Sequence, residues 1–326
     1  MAAFYTFEDL SGASSNGVKS DNPYQDVIDA CENNATQIQA RYAAHRTNRN
    51  AQQRDKLLSP DFQGVTPDEI LAKLEDPELE PGFQDPRHCL VFWARPTQRV
   101  RDLIVEVQRR LREVAPNLWL MPSPNLHMTA LEITHSLTAP EIDALVDKLL
   151  PHAQPIADYP ASHRARLVKP CVSFDAQALA LSFLPAAGEP RSESGDGKHG
   201  DGDGDGDGYT YHHLRRDIFA MASRTDVTVA SRYVIPSAHL TIGRFVTKKD
   251  FEGPDGRVEK EKTRGFVDAI AEVNAWLERE YWPKGDGTAG KEGGEWVVGE
   301  EKGLEFRKGA LWYGAGGETV LLGKGF

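Results

Sequence analysis

The feature that most constrains this chain is a repeated order of elements around a repeated hexad. Pro124-Asn-Leu-His127-Met-Thr129 and Pro236-Ser-Ala-His239-Leu-Thr241 carry proline, histidine and threonine at the same spacing. Each hexad opens a strand-like run set between two helical patterns, from Thr97 to Leu150 and again from about His212 to Glu280. One His-x-Thr among ten histidines is unremarkable. Two copies at matching places point to an internal duplication, with no solenoid period in the chain. The expected fold is α+β: a bilobal, pseudo-symmetric pair of antiparallel sheets flanked by helices, with a central cleft and an N-terminal helical extension. Residues two apart on a strand share a face. His127 therefore stands beside Thr129 and His239 beside Thr241, with Met128 and Leu240 turned to the core.

Four segments follow: an N-terminal helical extension over 1–86, a first lobe over 87–185, an acidic Gly/Asp-rich loop over 186–208, and a second lobe over 209–326. In the extension, Pro23 to about Leu58 reads as one polar helix of weak amphipathicity, expected to cap one lobe. Thr66-Pro67-Asp68-Glu69 has capping-box spacing with proline at the first helical position. His88–Ala94 is short, apolar and bounded by prolines, a buried strand. Val100, Leu103, Ile104, Val107, Leu111 and Val114 then recur at helical spacing. Leu118–Met121, Leu126–Thr134, Arg166–Phe174, Ala178–Leu184, Asp226–Ile235 and Ala238–Val246 read as strands. Thr138 opens one helix and Phe266, Ile270, Val273 and Leu277 mark another. The end of the chain, with its TVLL and ALWY runs, reads as antiparallel strands and turns.

Composition narrows the class. The net charge of -11 argues against coating duplex DNA, which needs a basic face. The acid is concentrated, however, with seven acidic against two basic residues in 186–208. Seven arginines against four acids lie in 87–135, so a small anionic substrate is compatible with this charge distribution. No apolar run is long enough to span a bilayer, and Glu8 and Asp9 interrupt where a signal peptide keeps its apolar core. Cys31, Cys89 and Cys171 are an odd, scattered set without Cys-x-x-Cys, which excludes a disulfide framework and suits a reducing compartment. A cytoplasmic or nuclear monomer is expected.

The paired motifs suggest their own chemistry. Two histidines can divide general base and general acid work near neutral pH, and two threonine hydroxyls can donate to phosphate oxygens. Base, acid and donors suffice for in-line displacement at a phosphodiester without metal or other cofactor. Glu132, the nearest carboxylate to His127, has the opposite strand parity, which argues against a hydrolytic metal site. Asp201-x-Asp203-x-Asp205-Gly206 imitates the opening of a calcium loop but places His212 where the bidentate glutamate belongs. Phe245 shares the parity of His239 and is a candidate to stack on a base, with core packing as the alternative. Arg244 has the opposite parity and reaches substrate only if a bulge at Gly243 turns it inward. His163, Arg164 and Arg166 form a basic patch, and Tyr209, Tyr211, His212 and His213 are either helix-start or ligand residues.

Over residues 87–326, with His127-Met-Thr129 and His239-Leu-Thr241-Ile-Gly-Arg244-Phe245 as its signature, the chain resembles the 2H phosphoesterase superfamily, which includes RNA-ligase-like proteins and 2′,3′-cyclic nucleotide phosphodiesterases. The resemblance implies metal-independent hydrolysis of a 2′,3′-cyclic phosphate on a nucleotide or RNA end. It assigns His127 and His239 to catalysis and Thr129 and Thr241 to phosphate binding, with a 2′-phosphate as product. It leaves open RNA 3′-end exonuclease or 2′,5′ ligase chemistry on the same four residues, and a non-catalytic module that binds nucleotides or RNA ends. It says nothing about residues 1–86.

Overall fold

The computed structural model describes residues 8–12, 20–191, 206–231 and 233–326. The calcium-like run Asp201-x-Asp203-x-Asp205 and most of the first 20 residues lie outside that range, as does most of the acidic loop. The fold is α+β, with seven α-helices among the described residues and a curled antiparallel sheet. Its strands are β1 (His88–Ala94), β2 (Trp119–Leu120), β3 (Met128–Leu137), β4 (Arg166–Phe174), β5 (Ala178–Pro185), β6 (Ala238–Arg244), β7 (Trp296–Val297), β8 (Leu304–Gly309) and β9 (Gly317–Leu322). The order is β7-β4-β5-β6-β3-β1-β8-β9, with β2 added to β6. Where two sheets are expected, one continuous hydrogen-bonded sheet is found. The motif strands β3 and β6 meet at its centre, pairing antiparallel at Met128 and Leu240. The halves of the sheet also exchange chain segments: β4 and β5 lie beside β6, while β8 and β9 lie beside β1.

The helices are α1 (Gln25–Ala30), α2 (Ala35–Leu57), α3 (Glu69–Glu75), α4 (Gln98–Val114), α5 (Ala139–Asp158), α6 (Tyr211–Ser223) and α7 (Lys260–Tyr281). The stripe on α4 is buried as its spacing predicts, from Val100 to Leu111, but Val114 remains exposed. Each such aliphatic side chain contributes roughly 1.5–3 kcal/mol by leaving water. Thr138 and Glu141 form the expected reciprocal cap of α5.

Several local expectations are corrected. The polar helix of the extension is broken in two: Glu32 and Asn33 take positive φ of 50° and 57°, and the side chain of Asn34 caps α2 through Gln37 N–H. Short polar side chains tolerate that backbone and favour helix starts. The cap of α3 is Asp68 rather than Thr66, its carboxylate accepting from Leu71 N–H. Thr66 and Asp68 instead spend their backbone N–H groups on the carbonyls of Ala176 and Phe245, which holds the segment extended. The described residues of 226–235 form no regular strand, and of the ALWY run only a turn is made.

The extension is fastened to the body at several points. His212 on α6 bridges the Tyr42 hydroxyl and the Tyr24 carbonyl, both at 2.9 Å. Along β4 and β5, Arg46 donates to the carbonyls of Lys169 and Ser182, and Asn50 to that of Val172.

Candidate active site

The register of β3 and β6 builds the site. Because Met128 faces Leu240, continuing an antiparallel ladder one residue each way sets His127 opposite Thr241 and Thr129 opposite His239. All four side chains line one cleft, as expected from the motifs. Both imidazoles are half-buried.

Beyond the threonines, each motif strand carries a one-residue bulge. Phe92 pairs with Leu131 and Trp93 with Thr129, so Ala130 is the extra residue of β3. Leu179 pairs with Gly243 and Ala180 with Thr241, so Ile242 is the extra residue of β6. A bulge reverses parity past it. Glu132, read as facing away, therefore turns into the cleft, as does Arg244 at the same offset on the other strand. Phe245 is turned the opposite way. It is 1% exposed in an aromatic cluster with Phe251 and Phe266, which removes it as a base-stacking candidate.

A bulge leaves backbone groups outside the ladder, and buried ones need partners. Two helices supply them. The carbonyl of Ala130 accepts from Arg215 Nε of α6 at 3.3 Å. That of Ile242 accepts from Gln108 Nε2 of α4 at 2.9 Å and from Met121 N–H at 3.0 Å. Arg215 and Gln108 are buried.

Each histidine is oriented by its Nδ1. His127 Nδ1–H donates to the Asn125 carbonyl at 2.7 Å, which leaves Nε2 with its lone pair. Its ring is stacked on Trp93, centroids 3.8 Å apart and planes within 19°. The guanidinium carbons of Arg95 and Arg307 lie 4.8 and 5.0 Å from the Trp93 ring centre. His239 Nδ1 is hydrogen-bonded to Ser237 Oγ at 3.0 Å. Burial pushes the His127 imidazole down to about 3, opposed by the Asn125 bond and aided by the charges of Arg95 and Arg307. Burial likewise pushes His239 down to about 4, with Arg49, Arg215 and His45 adding to the effect. Near neutral pH both rings are therefore uncharged.

Arg244 is positioned by a chain of polar contacts. Its Nη1 lies 3.2 Å from the carboxylate of Asp68, which accepts from the Tyr313 hydroxyl at 2.7 Å. Tyr313 in turn accepts from Arg87 at 3.2 Å. Arg244 Nε has no partner among the described residues.

The remaining candidates lie elsewhere. Arg166 is buried between Asp207 and Glu295, His163 stacks on Tyr159, and neither lines the cleft. His213 forms the cap of α6 with Thr210, so of the four candidates there His213 takes the helix-start role. Trp93, Ser237, Glu132, Tyr233 and Trp312 are cleft residues or ring partners that the motifs do not announce. Ser237 lies inside the second hexad, where its hydroxyl so near His239 is a readable signal. Among the described residues no group of three histidine, cysteine, aspartate or glutamate side chains could hold a metal ion, and no helix is long and apolar enough to cross a membrane.

No family model matches the chain, and no curated protein matches it. Among solved structures it is similar to TT0787 of Thermus thermophilus, at 16% sequence identity and a TM-score of 0.34, over 67% of this chain and 87% of that one.

Proposed function

We propose that this chain is a metal-independent phosphoesterase that hydrolyses 2′,3′-cyclic phosphates of nucleotides or RNA ends, related by its paired motifs to the 2H phosphoesterases and built on their internal duplication. The supporting observation is the single β3–β6 register that brings two histidines and two threonines from distant hexads into one cleft. A coincidental pair of strand histidines has no reason to meet there.

His127 is the base and His239 the acid. With Nδ1–H committed to a carbonyl, His127 presents an unprotonated Nε2 to water. The water oxygen forms the new bond to phosphorus, and its proton passes to His127. The bond from phosphorus to the 3′ oxygen breaks, that oxygen takes a proton from His239, and a 2′-phosphate remains. Thr129, Thr241 and Arg244 stabilise charge on the non-bridging oxygens. The anionic substrate also raises the pKa of His239, since it places a negative charge in the cleft beside the ring. The protein works as a monomer in the cytoplasm or nucleus, on a substrate small enough that the chain's acidity does not repel it as it would a duplex-sized polyanion.

The test is turnover of the four nucleoside 2′,3′-cyclic monophosphates in excess EDTA. Resolved 2′-phosphate product that survives chelation is the expected result. A bell-shaped pH profile whose two limbs both persist in His127→Ala would overturn the base assignment. Binding without turnover on any cyclic phosphate, nucleotide or RNA end, would leave a binding module.

A further inference from the structure

A second cavity, of about 500 Å³, adjoins the cleft on the side of α2. Tyr233, His239, Thr241, Arg244 and Trp312 line both, so the two spaces are continuous. Its floor is β5, where Ala178, Ala180 and Ser182 pair with Arg244, Thr241 and His239. Small side chains at three successive inward positions leave open a space that larger ones would fill. Its roof is one face of α2: His45, Arg46 and Arg49 follow Tyr42 by three, four and seven residues. That face is polar where packing alone would call for leucine, which accounts for the helix's weak amphipathicity.

His45 is 3% exposed. Its Nδ1 accepts from Leu10 N–H at 3.0 Å, with the Asp9 carboxylate 3.6 Å from the same nitrogen. A ring nitrogen that accepts carries no proton, so the neutral imidazole holds its hydrogen on Nε2. That buried Nε2 has no hydrogen-bond partner among the described residues. Buried donors are rarely left so, and each asks for an acceptor. The guanidiniums of the same wall are committed: Arg46 to two carbonyls, Arg49 to Asp175 at 2.7 Å, and Arg87 to Asp85 at 2.7 Å. The cavity therefore suits a neutral group with an acceptor better than a second phosphate. Its size is that of sites for small organic ligands.

We propose that this cavity receives the nucleobase of the substrate, with His45 Nε2–H donating to a ring nitrogen or carbonyl of the base. The proposal rests on the nucleotide reading of the cleft. It makes residues 42–49 of the N-terminal extension part of the substrate site: the phosphate lies over β6, and the base lies over β5 beneath α2. The field of Arg49 on His239 is consistent with that proximity.

The test is equilibrium binding of the four nucleoside 2′-monophosphates and of inorganic phosphate to the full chain. Its variants are His45→Leu, His45→Gln and Ala180→Leu, each checked by melting temperature. His45→Leu is expected to weaken nucleotide binding about tenfold, the loss of one buried hydrogen bond. His45→Gln, whose amide can donate from near the Nε2 position, recovers most of that. Ala180→Leu fills the floor and weakens nucleotides by about tenfold or more, with phosphate affinity unchanged. Nucleotide binding indifferent to both His45→Leu and Ala180→Leu, phosphate lost in step with nucleotide, or no nucleotide binding by the wild type would each overturn the proposal. Nucleotide binding that follows these variants in a protein that hydrolyses no cyclic phosphate would leave the base site standing and remove the hydrolytic function. Hydrolysis indifferent to the same variants would do the reverse.

Discussion

The two flanks of the cleft start from the same plan and finish differently. Each has a motif strand, a bulge one residue past the threonine, and a buried helix side chain on the bulged carbonyl. Beside β3, however, the neighbouring strand β1 presents Cys89, Val91 and Trp93, which pack with Leu311 and Trp312 and fill the floor. Beside β6, the neighbouring strand β5 presents Ala178, Ala180 and Ser182, and the floor stays open under α2. The charges differ as well, with Glu132 at the position on one strand that Arg244 holds on the other. The open flank carries the guanidinium, and a packed aromatic wall braces the histidine on the closed one. The two motif strands share a bulged backbone pattern and divide in their side chains.

The division can be broken at either flank. The largest effect should come from the motif histidines. His127→Ala and His239→Ala are each expected to lower kcat on a cyclic phosphate by roughly 10²–10⁴-fold, with the alkaline limb of the pH profile altered only in the His239 variant. Equal profiles in the two variants would mean the flanks are chemically interchangeable. Next comes Trp93→Ala on the filled flank. Removing this fully buried ring should cost about 3–5 kcal/mol of stability, measured by denaturant unfolding, and release the His127 ring from its stack. A loss below about 1 kcal/mol would show that the wall collapses to fill the gap.

Gln108→Leu removes a buried donor from the Ile242 and Met121 carbonyls and should cost about 1–3 kcal/mol. It should also reduce phosphate affinity through a loosened Arg244. A stable variant with normal phosphate binding would show that Met121 N–H alone holds the bulge. Phe245→Leu, a core change, should cost on the order of 1 kcal/mol and leave the KM of every substrate in place.

Protons offer a gentler probe. Burial holds the His127 imidazole down to about 3 and that of His239 down to about 4 in the folded chain, below the ordinary imidazole value of about 6.5. Between those limits the unfolded chain binds protons that the folded one refuses, so stability should rise with pH from about 3 to 6.5 and fall on acidification. Denaturant midpoints measured from about pH 4.5 to 7.5 check the sign. A 2′-phosphate product, by contrast, should bring a proton with it. Calorimetry in buffers of different ionisation enthalpy should detect that uptake in the wild type and lose it in His239→Ala.

Much of this architecture is legible in the sequence. The apolar run 88–94, the stripe on α4, the cap at Thr138 and the two hexads each announce themselves through period or spacing, and together they place His127 and His239 in one cleft. Arg244, Glu132 and Phe245 cannot be placed the same way. Their facing depends on the single extra residues Ala130 and Ile242, and one apolar residue added to an apolar strand leaves no mark in its alternation. The partners that hold the bulges, Arg215 and Gln108, lie on helices far away in sequence. The break in the extension is different in kind, since Glu32-Asn33-Asn34 is a visible turn and cap. The wall formed by α2 is hidden because a polar helix face looks like a solvent face until the strand opposite is seen to be made of alanine and serine.

The bond between His212 and Tyr42 spans 170 residues, and that between His212 and Tyr24 spans 188. On a ribosome adding about 5–20 residues per second, α1 and α2 emerge roughly ten to forty seconds before the residue that clamps them exists. For most of that interval the roof of the second cavity is a polar helix with nothing beneath it, deprived of the tertiary packing that gives helices most of their stability. The part of the chain made first is thus among the last to settle. A chain cut short before α6 would lack that clamp on α1 and α2.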